Sequence, residues 1–575
     1  MNLISTKLIT HHWAGIIVAL FIGWSVIAPH ILWKTNPLYQ GIELMGQDAE
    51  EHYIARVQEI HEGNLGLGNT FLAEKDKPYL QPPLGEMIQA ALGRLLFLNA
   101  EQGIIFAKFF FPFFMALVFY ALGIIFFRSR IAALFGEVSA MVGHLLMSSP
   151  APWLDMIYGI LPTGAYSLFS RPINPQISSL VMFAGLLLFY KAFFVREKPR
   201  WWEVGVVGIA TGASLYMSPY TFSFLGGIIG LSFMWFLYKR RYDHVIRAAT
   251  SGVIALVAGI PFVINYLALH ANPDFLALAE RQGLVPDNNP IISIWLVIML
   301  VGAVFLWPKA YKQARPFFII MVATLWILTD QNAVTGLVLH PSHYHWYITK
   351  PLLGVMLGMY AVFVLDVLFK RQAYVRVALT AVGLFVLLYI SPLFHPFWYQ
   401  AHPDQMTLDA QVYGPTIEAL QTMSPNQTVW AEPLLSLYIP IYTTHNAPNN
   451  EYVIYYLNPQ SFYENTLFLS YRLKGETPNT ILTVFTKDRS DVSHRLYGLY
   501  YRQAYGDLAA IPDEKLAELA RQYAVFYARP WEEVLKDLGI DVVIAPQEEE
   551  KTYARIPALH LFKQAGGYNI YTVTK

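Results

Sequence analysis

The chain has 575 residues, 55% of them hydrophobic and only 14% charged, against about 25% charged in an ordinary soluble domain. Forty basic and forty acidic residues cancel, and there is no cysteine. An ordinary cytosolic enzyme, a nucleic-acid partner, disulfides, thiolate metal sites and a cysteine nucleophile are thereby excluded, and any electrostatic function has to be local.

Apolar runs near the roughly 20 residues that cross a bilayer recur about eleven times before residue 393. The first, Trp13 to Trp33, follows polar Asn2, Ser5, Thr6 and Lys7 and lacks a small-residue cleavage site, so it reads as a retained span and not a signal peptide. Next comes a polar excursion, Lys34 to Asn99, whose length marks it as a working loop. Within it, Gly46 to Tyr53 opens an amphipathic helix with Tyr53, Val57 and Ile60 on one face and Asp48, His52 and Glu59 on the other. Asp48 followed by Glu51 is a D-x-x-E capping box, which starts a helix. A carboxylate held there, just outside the bilayer, also suits a general base acting on an incoming hydroxyl. The two roles are compatible, because a cap fixes the rotamer that a base needs. Further along stand Phe71-Leu72-Ala73-Glu74-Lys75-Asp76-Lys77-Pro78 and Gln81-Pro82-Pro83-Leu84-Gly85-Glu86, the latter leading into an apolar helix. By themselves the charges from Glu74 to Lys77 read equally as a solvated turn.

An Asp early in the first loop, a Glu-Lys near a Pro about 25 residues later, and Pro-Pro-Leu-Gly opening the next helix together resemble the GT-C superfamily of membrane glycosyltransferases. The likeness is greatest to the protein O-mannosyltransferase and lipid A aminoarabinose transferase branches, and covers the layout of the membrane region plus about forty residues of loop. Paired acids such as Asp-Glu or Asp-x-Asp are frequent at the first site of that family, whereas this chain has Asp48-Ala49-Glu50-Glu51. The Trp-Trp-Asp-Tyr-Gly motif of the oligosaccharyltransferases is absent, which disfavours transfer of a whole oligosaccharide to asparagine. The resemblance implies a sugar donor on a polyprenyl-phosphate carrier, Asp48 as general base with inversion at the anomeric carbon, and Lys75 facing the departing phosphate. It also implies Glu74 as a second carboxylate that could ligate a divalent metal ion.

The second loop of this side, Ser148 to Pro175, holds Asp155 and Arg171 in a Pro-rich apolar stretch. The guanidinium of Arg171 suits a fork onto phosphate or a contact with a lipid headgroup. Asp155 is its ion-pair partner or a second acid of the site. Spans are then expected at Ile104 to Phe127, Ile131 to Met147, Gln176 to Val195, Glu203 to Met217, Ser218 to Tyr238, Ala248 to Ala268, Ile291 to Trp307, Phe317 to Thr329, Tyr347 to Phe369 and Val377 to Pro392. Between the last few lie His340, His343 and His345, interleaved with Tyr344 and Trp346. Such a loop can hold a metal if the rings converge; stacking on a sugar makes His343 and Tyr344 substrate-binding candidates, as is His52. Glu137, His144, Glu203 and Asp366 lie near helix ends and receive no role.

Arg128 and Arg130, then Arg196, Lys198 and Arg200, Lys239 to Arg241 with Arg247, Lys309, Lys312 and Arg315, and Lys370, Arg371 and Arg376 occupy every second connection. Positive charge stays inside, so the amino terminus is expected in the cytoplasm of a multi-pass plasma-membrane protein. About eleven spans put the loop 34–99 and the region after 393 on the extracytoplasmic face. The expected division is a membrane domain over 1–393 and a small α/β domain over 394–575, with strands at Val429 to Ala431, Thr480 to Phe485, Val542 to Ala545 and Asn569 to Val573. Asp513 to Phe526 and Pro530 to Leu538 read as helices, and aromatic-rich Tyr452 to Leu473 as a segment resting on the membrane.

The reading these features favour is a glycosyltransferase that passes a polyprenyl-phosphate-linked sugar to a hydroxyl or amine of a glycan, lipid or protein, among membrane lipids. A transporter or flippase of lipid-linked saccharides would show interrupted helices in matching halves; Ser218-Pro219-Tyr220 interrupts one apolar stretch without a counterpart. A non-catalytic scaffold would leave the acid-rich loop unexplained.

Overall fold

The computed structural model describes residues 2–45, 49–142, 168–284, 286–369, 375, 378–384 and 405–574, and is predominantly helical. Helix α1 is Asn2–Trp33; the first long loop carries α2, Glu50–Glu62, and α3, Leu84–Leu95; α4 is Ala100–Phe127 and α5 Arg130–Val142. There follow α6, Gln176–Tyr190, α7, Trp201–Leu215, α8, Pro219–Tyr238, α9, Tyr242–Ala258, α10, Ile260–His270, α11, Phe275–Arg281, α12, Ile294–Val304, α13, Arg315–Thr329, and α14, Lys350–Leu368. Among the described residues five helices are long and apolar enough to cross a bilayer, or six if α9 and α10 count as one span. The chain therefore has a polytopic membrane fold. The expected span Ala248 to Ala268 is not straight: α9 and α10 meet at 47°, because Pro261 follows Gly259 and cannot donate to the preceding turn. Helix α12 has 11 residues, roughly 17 Å at 1.5 Å per residue, short of a ~30 Å hydrocarbon core. Most of Val377 to Pro392 lies outside the described residues.

The bundle packs through close small-residue contacts. Gly354 and Gly358 of α14 lie against the backbone of Ser139, Ala140 and Gly136 on α5, at distances where an added Cβ would clash. Such approaches gain dispersion where lipid tails supply no hydrophobic drive.

After residue 405 the chain builds a four-stranded sheet of β1, Val429–Trp430, β2, Val542–Pro546, β3, Leu559–Ala565, and β4, Tyr568–Val573, in the order β1-β2-β4-β3. β1 runs parallel to β2, and the β2/β4 and β3/β4 pairs are antiparallel. Helices α15, Gly414–Gln421, α16, Pro433–Tyr442, α17, Gln460–Leu473, α18, Ile481–Lys487, α19, Arg489–Tyr505, α20, Asp513–Tyr527, and α21, Trp531–Asp537, complete this region. Two expectations fail here. Thr480 to Phe485 is not a strand but the start of α18, whose Ile481 and Phe485 are buried beside Tyr471, Phe468 and Tyr523; helical neighbours supply packing and no strand edge, and tertiary context overrides β-propensity. Tyr452 to Leu473 is not one exposed surface: α17 is buried from Thr466 to Leu473 within this region. Strand β3 went unread because five of its seven residues are exposed on the sheet edge and carry no alternation.

One hydrophobic core joins the first long loop to the carboxyl-terminal region. Ile42, Ile54, Val57 and Phe71 share it with Trp430, Tyr438, Val453 and Leu467. Backbone polar groups stitch the seam: the Gln40 N–H donates to Gln411 Oε1 at 2.8 Å, Glu43 N–H to the Tyr442 hydroxyl at 2.9 Å, and Ala447 N–H to the Phe71 carbonyl at 3.0 Å.

Candidate active site

Helix α2 carries a polar sequence yet buries Glu50, Glu51, His52, Arg56 and Glu59. The expected two-faced helix is thus corrected: it is enclosed by α3 and α4 on one side and by the carboxyl-terminal region on the other. The expected Asp cap is corrected too. Ala49 is the cap residue, in the left-handed region at φ 56°, with no side-chain capping bond, while Asp48 lies outside the described residues. Buried polar groups demand partners, and α2 has them. Arg56 Nε donates to Glu86 Oε1 of α3 at 2.5 Å, with the two side chains 1% and 2% exposed. Lys108 of α4 pairs with Glu50. Lys75 Nζ donates to Glu59 Oε1 at 2.5 Å and to the Thr70 carbonyl at 2.9 Å. Burial pushes the Glu59 carboxyl up despite Lys75. Two ions lose several kcal/mol each on leaving water, so these pairs fix the position of α2 more than they stabilise the fold.

His52 Nε2 shares a 2.9 Å hydrogen bond with the Tyr456 hydroxyl, and its ring stacks on Tyr452 at 4.9 Å. Burial, then the charges of Arg56 and Arg171, hold the imidazole well below its ordinary range, so it is neutral at pH 7. The next residue, Tyr53, lies under the Arg171 guanidinium, 5.3 Å from ring centre to Cζ. Arg171 follows the short turn Leu168–Ser170, and its Nη1 donates to the Tyr347 hydroxyl at 2.9 Å. Tyr347 meets His343 edge-on at 5.1 Å, and His343 stacks on Tyr220 of α8 at 4.6 Å. Tyr344 lies edge-on to Tyr220 at 5.1 Å and bonds Ser223 at 2.8 Å. His52, Arg171 and the adjacent pair His343 and Tyr344, three segments more than a hundred residues apart in the chain, therefore meet in one cluster. Tyr53, Tyr220, Tyr347, Tyr452 and Tyr456 join them; the sequence reading missed these tyrosines as site residues, although Tyr452 and Tyr456 stood in the aromatic-rich segment and Tyr347 beside the histidines.

Other expected residues lie elsewhere. Lys75 is held by Glu59 and reaches the cluster only through Thr70, whose hydroxyl accepts from Tyr456 at 2.7 Å. Glu74 is 72% exposed and paired to Lys77 at 2.6 Å. Among the described residues no group of three His, Asp or Glu side chains converges as a metal site needs. His340 Nε2–H donates to the Gln282 carbonyl, at 2.5 Å. Asp155 lies outside the described residues.

An apolar groove of about 470 Å³ is lined by Leu65, Tyr79, Leu84 and Met87 from the loop and by Ile209 and Ala213 of α7. The Pro-Pro-Leu-Gly segment lines the groove and also reaches the chain just past Arg171. Leu84 faces the groove and its N–H donates to the Tyr216 carbonyl at 3.0 Å. Gly85 abuts Ile173, two residues past Arg171, so closely that a Cβ would come to 2.6 Å from Ile173 Cγ2. Only glycine admits that approach.

Comparison with known proteins comes from solved structures alone, since no family model and no curated protein matches the chain. The chain is similar to two crystal structures of ArnT from Cupriavidus metallidurans, one bound to undecaprenyl phosphate and one in the apo state. Each aligns with a TM-score of 0.48 at 12% identity, covering 96% of this chain and 97% of the other.

Proposed function

We propose that this chain is an integral-membrane glycosyltransferase that moves a sugar from a polyprenyl-phosphate donor to an acceptor hydroxyl or amine of a glycan, lipid or protein. The observation that carries the reading is the placement of Arg171 within an aromatic cluster, together with an apolar groove lined by Pro83 and Leu84, whose neighbour Gly85 abuts Ile173, two residues past Arg171. The groove suits an isoprenoid tail, and the guanidinium suits the phosphate at its head. Tyr53, Tyr220 and Tyr452 supply aromatic surface of the kind that suits a pyranose, and His52, kept neutral by burial, carries no competing charge.

In the reaction the bond from the anomeric carbon to the phosphate oxygen breaks, and its electron pair leaves with the phosphate. The acceptor oxygen or nitrogen forms the new bond from the opposite face, so configuration inverts, and its proton passes to Asp48. Arg171 lowers the barrier because negative charge on the leaving phosphate grows toward the transition state. Lys75, engaged by Glu59 and Thr70, acts as a positioning residue for the loop rather than as the phosphate ligand. The placement that follows from the charge pattern is a plasma-membrane protein with the amino terminus in the cytoplasm and the cluster and carboxyl-terminal region on the extracytoplasmic face.

The test is transfer by the purified chain in nanodiscs, given a polyprenyl-phosphate sugar and an envelope extract as acceptor. Transfer that is lost in Asp48→Asn and in Arg171→Gln, both still folded, supports the reading. Movement of the lipid-linked sugar between leaflets without transfer, indifferent to both substitutions, overturns it in favour of a transporter.

A further inference from the structure

A second cavity, of about 340 Å³, lies in the carboxyl-terminal region between the start of α16, the segment 448–454 and the start of α19. Its polar wall is Asn449, Asn450, Glu451, Asp491, His494 and Arg495; its floor is aliphatic, with Leu434, Leu437 and Ile454. The polar groups are held, not loose. Arg495 Nη2 donates to Asn449 Oδ1 at 2.7 Å and to Ser470 Oγ at 2.6 Å. Asn449 is buried and its own Nδ2 donates to the Ala431 carbonyl at 2.7 Å. His494 takes Arg502 at Nδ1 and turns Nε2 toward Glu451 at 3.6 Å. Asn450 caps the turn Glu451–Tyr455 by accepting from the Tyr452 N–H at 3.0 Å.

Chemistry narrows the occupant. A purely apolar ligand would strip water from the guanidinium and two carboxylates without replacing their hydrogen bonds. An inorganic anion would find Arg495 but also Glu451 and Asp491, whose charges repel it. A ligand that both donates and accepts at many points, and has an apolar C–H face, satisfies every wall at once. The size is at the lower end of the roughly 300–1,000 Å³ range of small-molecule sites. We propose that this cavity is a saccharide-binding site that holds a sugar unit by its hydroxyls, apart from the Arg171 cluster. The two sites share one short turn: Glu451 faces the cavity, and the adjacent Tyr452 stacks on His52. A glycan seated here would lie on the far side of that turn from the cluster, and its binding does not require that transfer occur.

The test uses the full-length chain in nanodiscs, free of sugar-headed detergent, and saturation-transfer NMR with neutral probes: the methyl glycosides of glucose, galactose, mannose, arabinose and N-acetylglucosamine, and trehalose. At least one probe is expected to bind saturably, with Kd at least tenfold weaker in Asp491→Asn and in Arg495→Gln and unchanged in Arg171→Gln. Asp491 sits at the exposed rim, so its isosteric variant reads binding even where Arg495→Gln fails to fold. Absence of binding by all six probes overturns the proposal, as does binding indifferent to Asp491→Asn. Binding of inorganic phosphate that depends on Arg495, with no sugar bound, overturns it in favour of an anion site.

Discussion

Removing the carboxylate opposite Arg56 tests whether buried charge holds α2 in place. The two side chains are almost fully enclosed and their Nε and Oε1 atoms are 2.5 Å apart. Glu86→Gln keeps the shape and one acceptor but deprives a buried guanidinium of its counter-charge. Breaking a buried pair from one side costs about 3–5 kcal/mol. Arg56 also donates to the Gln81 carbonyl at 3.0 Å; the double variant Arg56→Met/Glu86→Leu abandons that acceptor, at about 1–3 kcal/mol, but frees the fold from desolvating two charges. The double variant is therefore expected to unfold closer to the wild type than Glu86→Gln does. Unfolding titrations with sodium dodecyl sulfate from mixed micelles measure both. Because α2 delivers His52 and Tyr53 to Arg171, transfer should stay impaired in the double variant even where stability returns. A loss below about 1 kcal/mol in Glu86→Gln, or a double variant less stable than Glu86→Gln, would refute the reasoning.

Arg171→Gln is expected to lower transfer by about 10²–10³-fold, the scale of losing one preorganised charge-stabilising group, and Arg171→Lys to recover little of it because an ammonium cannot reproduce the planar contact with Tyr53 and the bond to Tyr347; steady-state kinetics decide. Glu43, buried against Lys34 at 2.8 Å, Tyr39 at 2.9 Å and Glu101, has its carboxyl raised from 4.5 to about 7, chiefly by burial. Between those values the folded chain holds a proton that the unfolded chain has lost, so this group's contribution falls as pH rises from about 4.5 through 7, by roughly 3 kcal/mol. Glu43→Gln should flatten the dependence of thermal stability on pH across that window, and an unchanged slope would exclude the assignment. Gly85→Ala places a methyl against Ile173 and should cost about 1–3 kcal/mol by overpacking while lowering transfer; adding Ile173→Ala should restore both, as thermal melts and transfer assays would show.

Much of the membrane architecture was legible because a bilayer imposes one requirement, an apolar run of sufficient length, that composition alone can meet. Arg171 stood out in the sequence for a related reason: a guanidinium among prolines and apolar residues has no surface role to absorb it. Where a helix would bend or end was less visible. Gly259 and Pro261 signal the break between α9 and α10, yet the apolar pattern runs through them uninterrupted. The strand assigned to Thr480 to Phe485 illustrates the opposite error, since a short β-branched run becomes helix when its neighbours are helices.

The burial of α2 shows why a site of this kind resists reading from local pattern. Periodicity assigns one face to the core and one to water, and Asp48, His52 and Glu59 fall on the polar face. The tertiary fold removes the water. Tyr456, 404 positions away, closes over that face through its hydrogen bond to His52, and Tyr442 accepts from the Glu43 N–H in the segment before α2. Each charge so enclosed needs a partner within hydrogen-bond reach, and the sequence supplies them singly on other elements: Glu86 on α3, Lys108 on α4, Lys75 in the loop. An enclosed polar helix with Glu50, Arg56 and Glu59 each held in a buried ion pair is an expensive arrangement for stability alone. It is consistent with selection for a fixed geometry at Tyr53 and His52, the two residues through which α2 meets Arg171 and the carboxyl-terminal turn. On this argument a variant that replaces the matched pairs with apolar residues should remain folded while losing the registration of those two rings. That separation of stability from transfer is what distinguishes a positioning network from a merely structural one.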